Sequence, residues 1–159
     1  MTETAILRKH ITTILEKSIL LTLSTIGAGH KQPCSCTTYY AFDKDFNLYL
    51  WTDPASLHGR NIEKNSLVAV NIFDSNQEWG GHLRGIQMQG KAQRVGTSEL
   101  VKAGNLYIKR FSKSLLRVKN AKGFHAKIFK SRLYKIIPKK IKVFDNKAFG
   151  KEEFRELVV

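Results

Sequence analysis

The side chains best suited to binding an anion lie in residues 50–61, whose sequence is LWTDPASLHGRN. An apolar strand is predicted to end here and a helix to begin, and the start of a helix presents unpaired backbone N–H groups with a partial positive charge. Thr52 and Ser56 add hydroxyl donors at the same point. This pattern favours a phosphate site, but Asp53 followed by Pro54 is also typical of an ordinary N-cap, and both interpretations stay open.

Other catalytic and metal-binding patterns are absent from the sequence. No strand is followed by a glycine-rich phosphate loop, and no nucleophile elbow supports a hydrolase triad. Cys34 and Cys36 would close a strained ring if oxidised, so we expect reduced thiols. The histidines have no metal-ligand spacing with these cysteines, so we predict no metal site, and no catalytic residue is identified. These histidines are His10, His30, His58, His82 and His125.

The positive charge of the chain is concentrated in residues 100–144. The net charge is +14, and this segment holds fourteen Lys and Arg with no Asp or Glu, so it accounts for the whole excess. Such a segment could bind nucleic acid or another polyanion, or it could be a solvated basic surface. No familiar nucleic-acid-binding motif accompanies it, which leaves nucleic-acid binding through residues 100–144 as a minor alternative.

Length and composition predict a single domain over residues 1–159. Apolar residues make up 42% of the 159 residues and charged residues 25%, values typical of a folded protein. No apolar run approaches the length needed to cross a bilayer, and the mixed-charge N-terminus does not resemble a secretory signal. We therefore expect no membrane association and a cytoplasmic location.

Hydrophobic periodicity predicts a β-rich chain with a few helices. About six strands with few crossover helices favour an antiparallel barrel or sandwich over a doubly wound sheet. Segments 34–42 and 46–51 are expected to form a hairpin, and Gly85 and Gly90 to mark a bulge or a close backbone approach. Helices are predicted at 4–17, 54–64 and 98–111, and strands at 19–26, 34–42, 46–51, 67–73, 82–95, 127–137 and 140–144.

Over residues 26–95 the order of motifs resembles the FMN-binding split barrels of the pyridoxamine 5′-phosphate oxidase-like superfamily. No single motif is specific, but their order and spacing together are. The C-terminal FDNKAFGK at 144–151 further resembles an uncharacterised bacterial branch of that superfamily. The motifs are a hairpin after a glycine-containing turn, then LWT at 50–52, SLHGRN at 56–61, the apolar strand at 68–73 and RGIQMQGKA at 84–92.

This resemblance implies a mainly β fold, a six-stranded antiparallel split barrel with flanking helices, and a homodimer that binds FMN in the groove between its subunits. The second barrel strand would contact the ribityl chain and the isoalloxazine ring, through Ser35, Cys36, Thr37, Thr38, Tyr39 and Tyr40. The end of the third strand and the next helix would contact the phosphate, through Trp51, Thr52, Ser56 and His58. Arg84 on the closing strand and the ring of Phe149 complete the predicted cofactor-binding set.

The chain departs from the oxidases of that superfamily at their positive charges. Where they carry arginine and lysine, this sequence has Ser35, Tyr40, Leu57 and His58, so oxidation of pyridoxamine phosphate is not implied. His58 is a weaker and more pH-sensitive phosphate partner than lysine. The sequence therefore leaves open whether FMN is retained.

The favoured function is that of an FMN-binding protein, a flavin-dependent oxidoreductase acting on a small-molecule redox substrate of unknown identity. Arg110 and Arg117 of the basic segment are hypothesised to supply cations to FMN or to an anionic substrate. One alternative is a split barrel that has lost flavin and serves as a binding module, which the missing cations favour. The other is a basic protein that binds nucleic acid or another polyanion.

Overall fold

The described part of the chain forms a sheet of eight strands with four helices around it. The computed structural model describes residues 2–27, 32–118 and 131–159, and the side chains of all of these except 113–118. The helices are α1 (Glu3–Lys17), α2 (Leu57–Lys64), α3 (Thr97–Val118) and α4 (Asn146–Phe149). The strands are β1 (Leu20–Thr25), β2 (Cys34–Tyr39), β3 (Ala41–Phe42), β4 (Leu48–Thr52), β5 (Leu67–Phe73), β6 (Arg84–Arg94), β7 (Arg132–Asp145) and β8 (Phe154–Val158).

Neighbouring strands in this sheet are antiparallel throughout. Their order is β2-β1-β5-β6-β7-β4-β3, and β8 pairs with the second half of β7. Strands β2 and β3 lie at opposite ends of that order but are joined in the chain through Tyr40, so the sheet curls into a half-barrel. The predicted antiparallel split-barrel class is confirmed, but the described residues contain eight strands instead of six, because β3 and β8 add to the count.

The inward face of the half-barrel holds the main hydrophobic core, which α1 covers. Leu7, Ile11, Ile14 and Leu15 recur at helical spacing and give this helix one buried stripe. The Thr2 side chain caps the start of the helix. Inward side chains of β1, β5, β6 and β7 pack against the stripe, so this helix closes one end of the half-barrel.

A smaller core lies on the outer side of the sheet, beneath α3. It contains Tyr49, Ala103 and Leu133, and the ring of Trp51 packs against it. Because Leu50 packs into the main core at the same time, β4 is buried on both faces. This burial fixes the directions of the side chains at the end of β4, where the predicted anion site begins.

Two predicted boundaries near that site are wrong. Helix α2 begins at Leu57 instead of residue 54, because Ser56 is the N-cap and residues 53–56 form a turn. Asp53 and Pro54 are therefore not the N-cap and first helical residue. The predicted hairpin is formed only by residues 41–42 with 48–49, because β2 pairs with β1 instead.

Strand β7 runs without a break where two strands were predicted, and it contains Pro138. Its partner β6 shifts register between Gln89 and Gly90, and a Cβ built on Gly90 would lie 2.2 Å from the carbonyl oxygen of Ile137. The close approach predicted at Gly90 is confirmed, and the irregularity accommodates a proline within the sheet. The start predicted for this strand, residue 127, lies outside the described residues.

Candidate functional site

The loop of residues 52–60, called the 52–60 loop below, leaves two backbone donors free. The Ser56 hydroxyl accepts from the N–H of Gly59 at 3.1 Å and donates to the carbonyl oxygen of Asp53 at 2.6 Å. Within the described residues, the N–H groups of Leu57 and His58 donate to no protein atom. Free N–H groups at the first turn of a helix are the group that a phosphate binds, so the loop fits the phosphate of a cofactor.

Thr52 and His58 form the polar wall beside these donors. The Thr52 side chain is buried, and its hydroxyl is hydrogen-bonded to Nε2 of His58. Burial lowers the pKa of His58 below its ordinary 6.5, an effect that the Asp53 carboxylate opposes only in part. The imidazole is therefore neutral at pH 7 and supplies a hydrogen bond instead of a permanent positive charge.

Arg60 provides the permanent positive charge of the 52–60 loop, which also contains the negative Asp53. Its guanidinium donates to the carbonyl oxygen of Ala55, which holds it across the turn that precedes α2. The predicted site did not include Arg60, because the resemblance to the oxidases placed the cations of this helix at positions 57 and 58. The available signal was that residues 50–61 contain no other Lys or Arg.

Helix α2 is tied to the sheet beside the start of β2. Asn61 is buried, and its side-chain amide donates to the Thr25 hydroxyl at 3.1 Å. Thr25 in turn pairs with Cys34, the first residue of β2. The structure thus brings the 52–60 loop next to the strand predicted to contact the ribityl chain and ring.

Strand β2 divides its side chains between the two faces of the sheet. Ser35, Thr37 and Tyr39 are exposed on the outer face. Cys36 and Thr38 are half-buried on the inner face, and burial raises the pKa of the Cys36 thiol. Only the three outer residues are placed to contact a ligand on the outside of the half-barrel.

Tyr40, predicted to contact the cofactor, lies in the core. It is fully buried, and its hydroxyl is 3.0 Å from the carbonyl oxygen of Leu15 and 2.6 Å from that of Ser18. Burial raises the pKa of this hydroxyl far above its ordinary value, so it stays protonated as a donor. Tyr40 closes the end of α1, and we leave it out of the proposed site.

A row of aromatic rings joins the end of β4 to the end of β2. The ring centroids of Trp51 and Tyr107 are 6.4 Å apart, those of Tyr107 and Phe111 are 4.9 Å apart, and those of Phe111 and Tyr39 are 5.7 Å apart. Edge contacts of this kind favour a fixed relative position of the rings. The row therefore holds α3 against both strands that carry predicted site residues.

Arg84 and Phe149 lie far from the 52–60 loop within one protomer. Thr52 pairs with Arg132 at the start of β7, whereas Arg84 pairs with Asp145 at its end. The thirteen residue steps from Arg132 to Asp145 correspond to about 40 Å of strand. One chain therefore does not bring the whole predicted set to one ligand, because Arg84 and Phe149 belong to a second region.

The hypothesis that Arg110 supplies a cation to a cofactor is wrong within this chain. Its guanidinium donates to the carbonyl oxygens of Leu15 and Ser18, each at 2.6 Å, and lies over the ring of Tyr40. The charge is thus occupied inside the protein. The side chain of Arg117 lies outside the described side chains.

Comparison with known proteins agrees with the half-barrel fold. Residues 7–144 match the family model described as pyridoxamine 5′-phosphate oxidase. The protein is therefore a split-barrel protein, and the chain belongs to the pyridoxamine 5′-phosphate oxidase family. No curated protein matches it closely enough to count as a relative.

Solved structures share the fold at low sequence identity. General Stress Protein 26 from Bacillus anthracis is 28% identical with a TM-score of 0.60, over 95% of this chain and 98% of that one. A heme binding protein from Mycobacterium smegmatis is 13% identical with a TM-score of 0.70, over 95% of this chain but only 57% of that one. A FAD-binding protein from Mesorhizobium loti is 15% identical with a TM-score of 0.64, over 84% and 91% of the two chains.

The described residues contain neither a membrane-spanning helix nor a metal-binding cluster. No helix among them is long and apolar enough to cross a membrane. In the same residues, no group of three or more His, Cys, Asp or Glu side chains is placed to hold a metal ion.

Proposed function

We propose that the protein binds FMN, with the phosphate at the 52–60 loop and the rest of the cofactor along the outer side of β2. The observation that carries this proposal is the pair of free N–H groups at Leu57 and His58, next to a strand with exposed hydroxyls. Each hydrogen bond from these donors to a charged phosphate is worth about 1.5–3 kcal/mol. Arg60 adds the charge that the neutral His58 does not supply.

A face of the sheet with little charge supports a homodimer with the cofactor at its interface; the exposed Lys91, which pairs with Leu67, carries the charge at its edge. The residues of this face lie side by side on four neighbouring strands, β2, β1, β5 and β6. Few of them are charged, although charged residues make up 25% of the chain. Leu67 and Phe73 on it are 58% and 49% exposed, and with Leu20 at 43% they give the face its apolar area. We call it the outer face, and its residues are Ser35, Thr37, Tyr39, Leu20, Thr22, Ser24, Leu67, Ala69, Asn71, Phe73, Gln87 and Gln89.

The dimer would also bring the far end of a second sheet to the cofactor, but it would not reunite the predicted set, because Arg84 lies on the inner side of β6. Within one protomer Thr52 and the pair Arg84 and Phe149 are at opposite ends of β7. A second copy packed through the outer face could bring its own β6 and β7 ends toward the β2 strand of the first. The groove between subunits is therefore the place we propose for the ring of FMN.

The protein's part in the chemistry would be to bind and orient. Bound FMN would supply hydride or electron transfer between a reduced donor and a second small-molecule substrate. Ser35, Thr37 and Tyr39 would offer hydroxyl groups to the polar atoms of the cofactor, and Trp51 would exclude water beside the phosphate. None of the described residues is assigned as a general acid or base.

Titration of the purified protein with flavins and with hemin tests the proposal. We expect binding to the protein to quench FMN fluorescence saturably, with one site per chain. Riboflavin should bind about tenfold or more weakly because it lacks the phosphate. Equal binding of riboflavin and FMN would exclude the 52–60 loop as the phosphate site. The absence of saturable quenching would exclude the flavin function and favour a module without a cofactor. Saturable binding of hemin, seen as a shifted Soret band, without any binding of FMN would instead favour haem.

Two variants separate the loop from general electrostatics. Arg60→Gln should weaken FMN binding by about tenfold or more while leaving riboflavin binding unchanged. Lys64→Gln, an equal change of charge at the exposed far end of α2, is the matched control and should leave both unchanged. A similar loss of FMN affinity in both variants would mean that net charge, and not the loop, attracts the cofactor.

The dimer has its own test. Asn71→Arg introduces a charge at the centre of the outer face, and Gln93→Arg introduces one at an exposed β6 position beyond that face. Analytical ultracentrifugation should show a dimer for the parent and for Gln93→Arg, and a monomer for Asn71→Arg. A parent protein that is monomeric with FMN bound would contradict the proposed groove.

A further inference from the structure

A cleft of about 700 Å³ opens on the inner side of the half-barrel, away from the outer face. It lies between α1, the segment that joins β5 to β6, and α4. Cavities of 300–1,000 Å³ commonly hold small ligands. Its residues are His10, Ile14, Lys17, Ser18, Asp74, Gln77, His82, Arg84, Asp145, Lys147 and Ala148, and we call it the α1–α4 cleft.

Positive charges from different elements converge on this cleft. Lys17 ends α1, Arg84 begins β6 and Lys147 lies in α4. Among the described residues, neither Lys17 nor Lys147 has a carboxylate within ion-pair distance, whereas Lys102, Lys135 and Lys140 are each paired. The two lysines therefore lie at the mouth of a cavity with no carboxylate partner in the part of the chain that the structure describes.

The buried carboxylate in the cleft is already fully engaged. Asp145 Oδ1 accepts from the N–H of Ala148 at 3.2 Å, and its Oδ2 lies 3.1 Å from Nε of Arg84 and 3.3 Å from Nδ1 of His10. The Nε of Arg84 makes no hydrogen bond, so its contact with Asp145 is an ion pair that keeps the guanidinium beside the carboxylate. Its terminal nitrogens donate to no atom of the described residues, so they keep the forked geometry that matches a carboxylate or a phosphate.

The carboxylates of the cleft cancel part of this charge, because Asp74 and Asp145 oppose the three cations Lys17, Arg84 and Lys147 and leave one positive charge in excess. Asp74 is exposed and accepts the N–H of Asn76 in its own turn at 3.0 Å. The negative end of α1 also points here, but the Arg110 guanidinium and the Tyr40 hydroxyl bind its last carbonyl oxygens. The neutralised helix end therefore leaves Lys17 and its neighbours to set the sign of the potential.

We propose that the α1–α4 cleft binds a small molecule with at least two negative charges, carried by carboxylate or phosphate groups. Arg84 receives one charged group through its terminal nitrogens, and Lys17 and Lys147 neutralise the other from the two sides of the opening. The ring nitrogens of His10 and His82 add hydrogen-bonding capacity along the walls. Ile14 provides the apolar contact for the carbon skeleton of the ligand.

This site is separate from the proposed flavin site. Arg84 and Asp145 lie on the inner side of their strands, as do the core residues Ile86 and Val143, whereas Gln87 faces the outer side. The 52–60 loop is thirteen residues of β7 away. The cleft can therefore be tested on the full-length protein already saturated with FMN.

Isothermal titration calorimetry with pyrophosphate and with citrate tests the proposal. We expect calorimetry to show saturable binding of at least one probe, with one site per chain. NMR spectra of the same complex should show amide chemical-shift changes confined to residues 10–18, 82–84 and 145–148. Lys17→Gln with Lys147→Gln should weaken binding by about tenfold or more. The matched control, Lys9→Gln with Lys64→Gln, removes the same charge from exposed positions outside the cleft and should change the affinity less than about twofold.

Three results would overturn the proposal. The first is the absence of saturable binding of both probes at millimolar concentrations. The second is an equal loss of affinity in the cleft variant and the control variant, which would indicate general attraction to a basic surface. The third is a set of shift changes centred on the 52–60 loop, which would assign the anion to the flavin phosphate site.

Discussion

Arg110 donates a hydrogen bond of 2.6 Å to the carbonyl oxygen of Ser18, ninety-two residues away in the chain, and so closes the end of α1. The same guanidinium donates to Leu15 and lies 4.7 Å from the ring centroid of Tyr40. The last carbonyl groups of a helix have no partner within the helix, so a buried helix end needs donors from elsewhere. Part of the charge excess in residues 100–144 therefore serves packing within the protein.

Arg110→Lys is expected to lower the free energy of unfolding by about 2–4 kcal/mol, because one ammonium group can neither donate in a fork nor stack on Tyr40. Urea denaturation followed by circular dichroism measures the change. Lys109→Gln, at an exposed neighbouring position, should stay within about 0.5 kcal/mol of the parent. FMN affinity should be unchanged, and a selective loss of that affinity in the folded variant would return Arg110 to the cofactor site.

Gly90→Ala should destabilise the protein by about 3 kcal/mol or more, because the new Cβ would lie 2.2 Å from the backbone oxygen of Ile137. That oxygen belongs to a paired strand and cannot move without opening the sheet. Thermal denaturation of Gly96→Ala gives the comparison, since a Cβ there meets nothing within 4 Å and the change should be neutral or stabilising by up to about 1 kcal/mol. Equal melting temperatures for the two variants would contradict the register of β6 and β7.

Gly59→Ala tests whether the turn before α2 must lie against the helix. A Cβ at this position would be 2.6 Å from the carbonyl oxygen of Asp53 and 2.9 Å from that of Pro54. We expect a loss of about 1–3 kcal/mol of stability and a larger proportional loss of FMN than of riboflavin affinity, because the displaced turn carries the phosphate donors. Gly104→Ala, which meets no atom within 4 Å in α3, should leave both flavin affinities unchanged.

The sequence predicted those parts of the fold that local alternation determines. The buried stripe of α1 and the bounds of β5 agree with the periodicity, because each depends on residues within a few positions of one another. The role of Tyr40 could not be found in this way, since its hydroxyl meets a carbonyl group twenty-two residues away, at Ser18. The resemblance to FMN-binding split barrels implied a ligand contact for Tyr40, whereas tertiary packing directed it inward.

The candidate site was predicted unevenly for the same reason. The 52–60 loop follows from a local change from strand to helix, and the structure places Thr52, Ser56 and His58 together there. Asp53 and Ser56 are both good N-cap residues, however, and the choice between them depends on how closely the turn packs on Gly59. The separation of Arg84 from Thr52 depends on the unbroken length of β7, which the sequence pattern divided in two.

Asp43 lies between β3 and β4, and its hydrogen bonds lead us to expect that the free energy of unfolding depends on pH in the acid range. Burial alone would raise the pKa of this carboxyl group, but hydrogen bonds from Asn47, Tyr49 and Lys102 outweigh it and hold the pKa below the ordinary 3.8. A lowered carboxyl pKa contributes stability above the unfolded value, and that contribution is lost as the pH falls through the folded value. Stability at pH below 3.8 should therefore fall partly through Asp43.

Tyr49→Phe isolates this contribution, because it removes the 2.9 Å hydrogen bond that the Tyr49 hydroxyl donates to Asp43. We expect a loss of about 1–2 kcal/mol near neutral pH and a smaller further loss in acid than the parent shows. Urea denaturation at a series of pH values measures both. Tyr39→Phe, whose ring is 52% exposed, is the control and should change neither quantity. An unchanged acid slope in Tyr49→Phe would remove Asp43 from the explanation.

His58 should make FMN binding stronger as the pH falls below 6.5. In the protein without FMN, burial lowers the pKa of the His58 imidazole. At pH below 6.5 the unfolded chain therefore binds a proton at His58 more readily than the folded protein does, and the free energy of unfolding decreases. A bound phosphate at the 52–60 loop favours the protonated imidazole, and FMN affinity therefore rises over the same pH window in which the free protein loses stability. Riboflavin affinity, which involves no phosphate, should not rise.

His58→Gln completes this test, because glutamine can replace the hydrogen bond to Thr52 but does not titrate. The variant should keep most of its FMN affinity at pH above 6.5 and lose the increase below it, and its unfolding free energy should depend less on pH in that window. Fluorescence titration at each pH, paired with urea denaturation, measures both effects on the same samples. A variant that retains the full pH dependence of FMN binding would place the titrating group elsewhere and separate His58 from the phosphate.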